Sequence, residues 1–303
     1  MIVVIPSPRV GAFRTATLNA LSYRFAVSTD DSTIASSLDQ VLAGLRSDEN
    51  DQVDHWYRIT PSKEDWSAFD VWRDQVLLAE GQTPNDAAGW IVWDVNRSAV
   101  QAAEADFLLF HAAGVEMVGA GLVLPGVSGA GKSSLAAELC RSGAGYLSDE
   151  LVAYDMARNC ILPYAKPITI KAENHDVLRA LESAPAACTD GHYSAVQERL
   201  MPVGRGTTIR LATPCAPSFV VVPHYEHGSP TTLVPLSDTE AFFALAVNAV
   251  NLKTHGTTAT EALGRLVGGC TSVRLTFSDL GDACELVQQL VSALPTGRSA
   301  SRD

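Results

Sequence analysis

Basic residues are in the minority: 22 Lys and Arg stand against 34 Asp and Glu, a formal net charge of −12. A surface of that sign repels a polyphosphate backbone at long range, so no nucleic-acid partner is expected. Cysteine is sparse. The six, at 140, 160, 188, 215, 270 and 284, contain no C-x-x-C pair, so the spacing of a zinc site or a disulfide framework is missing. They read as reduced, mostly buried thiols of a cytoplasmic protein. No stretch approaches the roughly 20 apolar residues of a membrane span. The opening run Met1–Pro6 is too short for a signal peptide and has no basic residue ahead of it. A membrane partner is therefore not expected. A guanine-reading N-K-x-D motif is missing, as are internal repeats and low-complexity blocks.

Tryptophan stops early. All five (Trp56, Trp66, Trp72, Trp90, Trp93) lie in the first third of the 303 residues. That shift in composition predicts two regions of different build, an α+β region over 1–96 and a larger domain over 97–303. In the first, strands are expected at Ile2–Ile5, Ser22–Ser28 and Gly89–Val95, with the segment Trp56–Ile59 between them. Helices are expected at Ser32–Arg46 and near Lys63–Trp72. Its aromatics could fill a small core or clamp a peptide. In the second region, Val100–Leu109 is too densely apolar to assign by period. Further on, strands are expected at Met117–Leu124, Tyr146–Leu147, Leu151–Tyr154, Pro167–Lys171, Phe219–Pro223, Thr232–Pro235 and Thr271–Phe277. Helices are expected at Ser134–Arg141, Ser237–Leu252 and Asp279–Leu294.

Between one of those strands and the helix after it lies Gly126-Val127-Ser128-Gly129-Ala130-Gly131-Lys132-Ser133. The pattern G-x-x-x-x-G-K-S after a strand and before a helix is the Walker A loop. Glycines allow backbone angles that aim successive amides inward, and the helix mouth adds its positive end. Lys132 would neutralise the outer phosphates, the Ser133 hydroxyl would ligate Mg²⁺, and Ser134 could add a hydrogen bond to phosphate. ATP with Mg²⁺ is the expected ligand pair. The chain then passes through a helix and a short strand to Ser148-Asp149-Glu150. Adjacent acids beside a phosphate site can divide two tasks, one taking a hydroxyl proton and one holding metal. His111, in Leu109-Phe110-His111-Ala112-Ala113, could equally be a satisfied core residue. Arg205, Arg210, Lys166 and Lys171 are candidates for stabilising transferred charge, though each could be an ordinary surface cation.

Taken together, the His111 stretch, the loop of form GxSGxGKS and the Ser148-Asp149-Glu150 stretch resemble the catalytic domain of the HPr kinase/phosphorylase family. The similarity is good over about residues 107–155. It is weaker through Pro163–Lys171 and Ser237–Asn251. The family's later Leu-Glu-Ile-Arg-Gly-Leu-Gly signature has no counterpart; Pro202–Gly206 stands in that region. The resemblance is thus to divergent HPr-kinase-related proteins, some of which phosphorylate serine on a lasso-peptide precursor. It implies an α/β P-loop domain related to phosphoenolpyruvate carboxykinase, with a smaller α+β N-terminal domain. It implies phosphoryl transfer to a serine of a peptide, a protein or a small molecule. Asp149 would then be the base, Glu150 and Ser133 the metal holders, and His111 a neighbour of the transferred phosphate. A nucleotide-binding switch and a catalytically silent peptide-binding relative are the alternatives, and homo-oligomers are open.

Overall fold

The computed structural model describes residues 11–47, 52–65, 67–171, 198–204 and 206–293. The strand expected at Ile2–Ile5, Trp66 and Arg205 lie outside them. The chain is mixed α/β, with two mixed sheets, one two-stranded sheet and six helices among the described residues.

The first sheet has the order β1-β3-β4-β5-β6, with β2 beside β3. Its strands are β1 (Phe13–Arg14), β2 (Leu18–Ala20), β3 (Tyr23–Thr29), β4 (His55–Pro61), β5 (Phe69–Arg73) and β6 (Val76–Gln82). Strands β3 and β4 are parallel and joined through α1 (Ser32–Val41); every other pair is antiparallel. The helix expected over Ser32–Arg46 ends at Val41, and a 3₁₀ turn, Ala43–Leu45, follows. Among the described residues no helix forms near Lys63–Trp72. The Asp65 carboxylate takes the Ser67 amide and hydroxyl in a turn, and β5 then pairs with β4 and β6 on both sides.

Helix α2 (Pro84–Ala103) replaces the strand expected at Gly89–Val95. Thr83 caps it by accepting from the Asp86 amide, and Pro84 occupies the first turn, where a missing N–H costs nothing. Ala87, Ile91, Val95 and Ala99 are all buried and recur at helical spacing on the face that meets the sheet. The helix runs through residues 96 and 97.

The second sheet has the order β11-β10-β7-β8-β14-β16-β15, with β9 also beside β7. Its elements are β7 (Leu108–Met117), β8 (Ala120–Pro125), β9 (Gly145–Ser148), β10 (Leu151–Asp155) and β11 (Cys160–Leu162). After β12 (Ile168–Lys171) and β13 (Glu198–Met201), which pair with each other, come β14 (Pro217–Tyr225), β15 (Thr232–Pro235) and β16 (Thr271–Phe277). Strand β14 is parallel to both neighbours, β8 and β16. The apolar run read as one strand over Met117–Leu124 is a hairpin: Val118 and Gly119 take φ of 52° and 80° and turn β7 into β8.

Four helices cover this sheet: α3 (Lys132–Arg141), α4 (Asp238–Ala246), α5 (Leu252–Gly269) and α6 (Leu280–Ser292). A capping box between Ser237 and Glu240 starts α4. It ends at Ala246, short of the expected Leu252, where α5 begins. Alternate strand residues go to opposite faces. Leu122, Leu124, Phe219 and Val221 join α3 and α6 in one core, while Val123 and Val220 join α4 and α5 in another. Burial on both faces explains the nearly continuous apolar runs of β8 and β14. A third core unites the first sheet and α2 with Leu109 of β7, Leu151 and Ala153 of β10, and Tyr164.

Candidate functional site

The loop between β8 and α3 is shaped by two glycines. Gly129 and Gly131 have φ of 86° and 89°, and Gly131 is the N-cap of α3. A Cβ on Gly131 would stand 2.6 Å from the Phe277 ring, at the end of β16, whereas one on Gly129 would meet nothing within 4 Å. The Ala130 amide donates to Val127 O at 3.2 Å, which tightens the turn. Lys132, buried at 7% exposure, donates to Gly126 O at 2.6 Å and to Val127 O at 2.9 Å. Val127, Ser128 and Gly129 are exposed, and Ser133 and Ser134 are half-buried in the first turn of α3. The result is a helix mouth lined by amides and an ammonium, a geometry suited to an anion.

His111 stands beside this loop. Its neighbour Ala112 pairs with Pro125 at the end of β8, and its own amide donates to Asn248 O at 2.7 Å. The ring Nε2 lies 3.3 Å from Lys132 Nζ. Burial, reinforced by the Lys132 charge, pushes the His111 pKa below 6.5. The ring is therefore neutral at neutral pH, and its Nε2 lone pair can face the ammonium. The strand partner of His111 is Leu151, the residue after Glu150, which brings loop and acid pair together.

Asp149 and Glu150 occupy a break between β9 and β10. Both strands run antiparallel to β7: Gly114 pairs with Ser148 before the break, and His111 with Leu151 after it. The acids thus sit one strand farther from the loop than the end of a directly neighbouring parallel strand, with β7 between. Asp149 is buried at 2% exposure. Its Oδ2 accepts from the Thr169 amide at 2.9 Å, and its Oδ1 has no hydrogen-bond partner. The Glu150 side chain is 49% exposed. Burial raises the Glu150 pKa, but Lys166, by charge and hydrogen bond, and then His111 and Lys132 outweigh that and hold it below 4.5.

Lys166 is the residue that sequence reasoning underrated. It is almost fully buried, with Nζ 3.1 Å from Glu150 Oε2 and 4.0 Å from Asp149 Oδ2. One ammonium therefore faces both acids and leans toward Glu150. Its depth in the fold, with no spacing rule behind it, distinguishes it from the other cations. Arg210 belongs elsewhere. It pairs with Glu116 at 2.6 Å, five residues along β7 from His111, or about 17 Å at strand spacing. Lys171 closes β12, antiparallel to β13. Phe277, which fixes the loop from below, carried no signal in the sequence.

Among the described residues no group of three or more His, Cys, Asp and Glu side chains could hold a metal by itself. No helix among them is long and apolar enough to cross a membrane. No protein-family profile matches the chain, and no curated protein matches it in sequence.

Proposed function

We propose that this protein is an ATP- and Mg²⁺-dependent kinase that phosphorylates a serine hydroxyl on a peptide, protein or small molecule, as a divergent relative of the HPr kinases. One observation carries the reading: His111 lies 3.3 Å from Lys132 at the loop and pairs in the sheet with Leu151, the residue that follows the acid pair. Anion cradle and proton acceptor therefore share one neighbourhood, as transfer between a phosphate and a hydroxyl requires.

The residues present fit the ligands. The positive-φ glycines suit a loop whose amides converge on phosphates, and Ser133 and Glu150 offer the hydroxyl and carboxylate oxygens that Mg²⁺ prefers. Bound there, the metal would neutralise phosphate charge. The chain's own part is positional and acid–base. Lys132 would turn from the carbonyls of Gly126 and Val127 to the outer phosphates. Asp149, held at Oδ2 by Thr169 and unpartnered at Oδ1, would take the serine proton. The serine O–H bond breaks, its oxygen bonds the terminal phosphorus, and the bridging P–O bond of the nucleotide breaks to release diphosphate nucleotide.

The test is phosphoserine formation from ATP on serine-bearing candidates, read by mass spectrometry beside ATP binding. Lys132→Ala should weaken ATP binding. Asp149→Asn should spare binding and lower transfer by about 10²–10⁴-fold. Transfer at the wild-type rate by Asp149→Asn would remove Asp149 as the base. Hydrolysis with no transfer would favour a nucleotide switch.

A further inference from the structure

Alternation along β7 puts Leu109, His111, Ala113 and Val115 on one side of the sheet. Leu109 packs into the core of the first sheet and α2, whereas Ala113 and Val115 pack into the α3 core. His111 therefore lies at the seam where the N-terminal unit meets the loop helix. A second segment follows the same seam. Tyr164 belongs to the N-terminal core, Ala165 to the α3 core, and Lys166 reaches the acids.

Two contacts tie this segment to the N-terminal unit. The Tyr164 hydroxyl donates to Asn96 Oδ1 of α2 at 3.0 Å. Gly44, in the turn after α1, approaches so closely that a Cβ there would stand 2.4 Å from the Ala165 carbonyl oxygen and 2.8 Å from Val203 Cγ2. Gly44 does not have a left-handed backbone angle, so space rather than conformation calls for glycine. On the far side of Lys166, Thr169 holds Asp149 through its amide.

Resting on the kinase reading above, we propose that the N-terminal unit is a positioning element of the site: through Gly44, Asn96 and Tyr164 it seats segment 164–166 so that Lys166 stands between Asp149 and Glu150. Two adjacent carboxylates repel each other, and an ammonium between them offsets that repulsion and fixes where each points. A long side chain in that role acts correctly only if its backbone is held: the Tyr164 amide donates to Leu147 O of β9 at 2.8 Å, and the N-terminal unit adds the close approach of Gly44 to Ala165 and the Asn96 bond to the Tyr164 hydroxyl. Gly44, Asn96 and Tyr164 are positioning residues; none of them touches an acid.

The experiment uses the full chain with two readouts, steady-state phosphoserine formation and hydrogen exchange of residues 164–169. Tyr164→Phe and Asn96→Ala delete the same bond from opposite ends. Each should lower kcat by about 3- to 10-fold, and the double variant should fall no further. Gly44→Ala should lower kcat by about 10- to 100-fold. In all of them KM for ATP should stay within about twofold of wild type, and exchange should rise in 164–169 ahead of the rest of the chain. Unchanged exchange in that segment overturns the proposal, as does raised exchange with unchanged kcat. A parallel fall of kcat, ATP affinity and global protection also overturns it, since that marks general destabilisation. Wild-type protein that binds ATP but forms no phosphoserine overturns the kinase reading and with it the catalytic role claimed here; whether residues 44 and 96 seat the segment is then decided by exchange alone.

Discussion

Gly131 is under two constraints that can be separated. Its φ of 89° and ψ of 9° lie in the left-handed region, where a residue with a Cβ costs about 1–2 kcal/mol. Its Cβ position is also only 2.6 Å from the buried Phe277 ring, and forcing a methyl into such a contact costs a further 1–3 kcal/mol, roughly. Gly131→Ala should therefore lose about 2–5 kcal/mol of stability. Gly129 is the internal control. It has φ of 86° but open space around its Cβ position, so Gly129→Ala should lose about 1–2 kcal/mol. Urea unfolding followed by far-UV circular dichroism measures both. Tryptophan fluorescence would report only the N-terminal region, since no Trp follows Trp93. Adding Phe277→Leu to Gly131→Ala should cost less than the sum of the two single changes, because the smaller side chain makes room for the methyl. Equal losses at the two glycines, or strict additivity with Phe277→Leu, would refute the packing argument.

Three further predictions test parts of the fold remote from the loop. Glu116 accepts from Arg210 and from the Gly119 amide, both at 2.6 Å. Burial raises its pKa, but those partners outweigh burial and hold it below 4.5. A carboxylate with a depressed folded pKa adds stability above its unfolded value and loses it as pH falls through the folded one. Glu116→Gln should therefore cost about 0.5–1 kcal/mol at pH 7, with the gap to wild type closing as pH drops below 4.5; a gap that persists in acid argues against the ion pair. Arg210→Ala should leave phosphoserine formation unchanged. At the start of α2, Thr83→Ala removes the acceptor of the Asp86 amide and should cost about 1 kcal/mol, read from the denaturant midpoint, with Thr83→Ser largely restoring it.

Legibility in the sequence followed the range of the forces involved. Elements whose local signals agree with their packing were readable: Val220–Val222 inside β14, the Ser237 cap of α4, and Asp279 before α6. Two expectations failed for opposite reasons. The Gly89–Val95 window holds Trp, Ile and Val and reads as a strand. The decisive signal, Thr83-Pro84-Asn85-Asp86, lies upstream of that window and starts a helix that simply continues through it. Conversely, Lys63–Trp72 has no binding local preference. Pairing with β4 on one side and β6 on the other makes Phe69–Arg73 a strand, and such long-range pairing leaves little trace in seven or ten residues.

The candidate site divides along the same line. A phosphate cradle is local chemistry, because its amides, glycines and lysine must be nearly consecutive to converge on one anion. Residues 126–134 could therefore be marked from spacing. Side chains that surround the cradle need only be near in space. Lys166 and Phe277 come from distant segments, and the two residues before Lys166 meet the N-terminal unit across the seam, Ala165 at Gly44 and the Tyr164 hydroxyl at Asn96. Residue type cannot report that: Lys166, Lys171 and Arg210 all carry one positive charge, yet Arg210 pairs with Glu116 at the opposite end of β7 while buried Lys166 faces two acids. A charge becomes a candidate for chemistry when the fold removes its water and leaves it specific partners. That condition belongs to the packing of the N-terminal unit as much as to the loop.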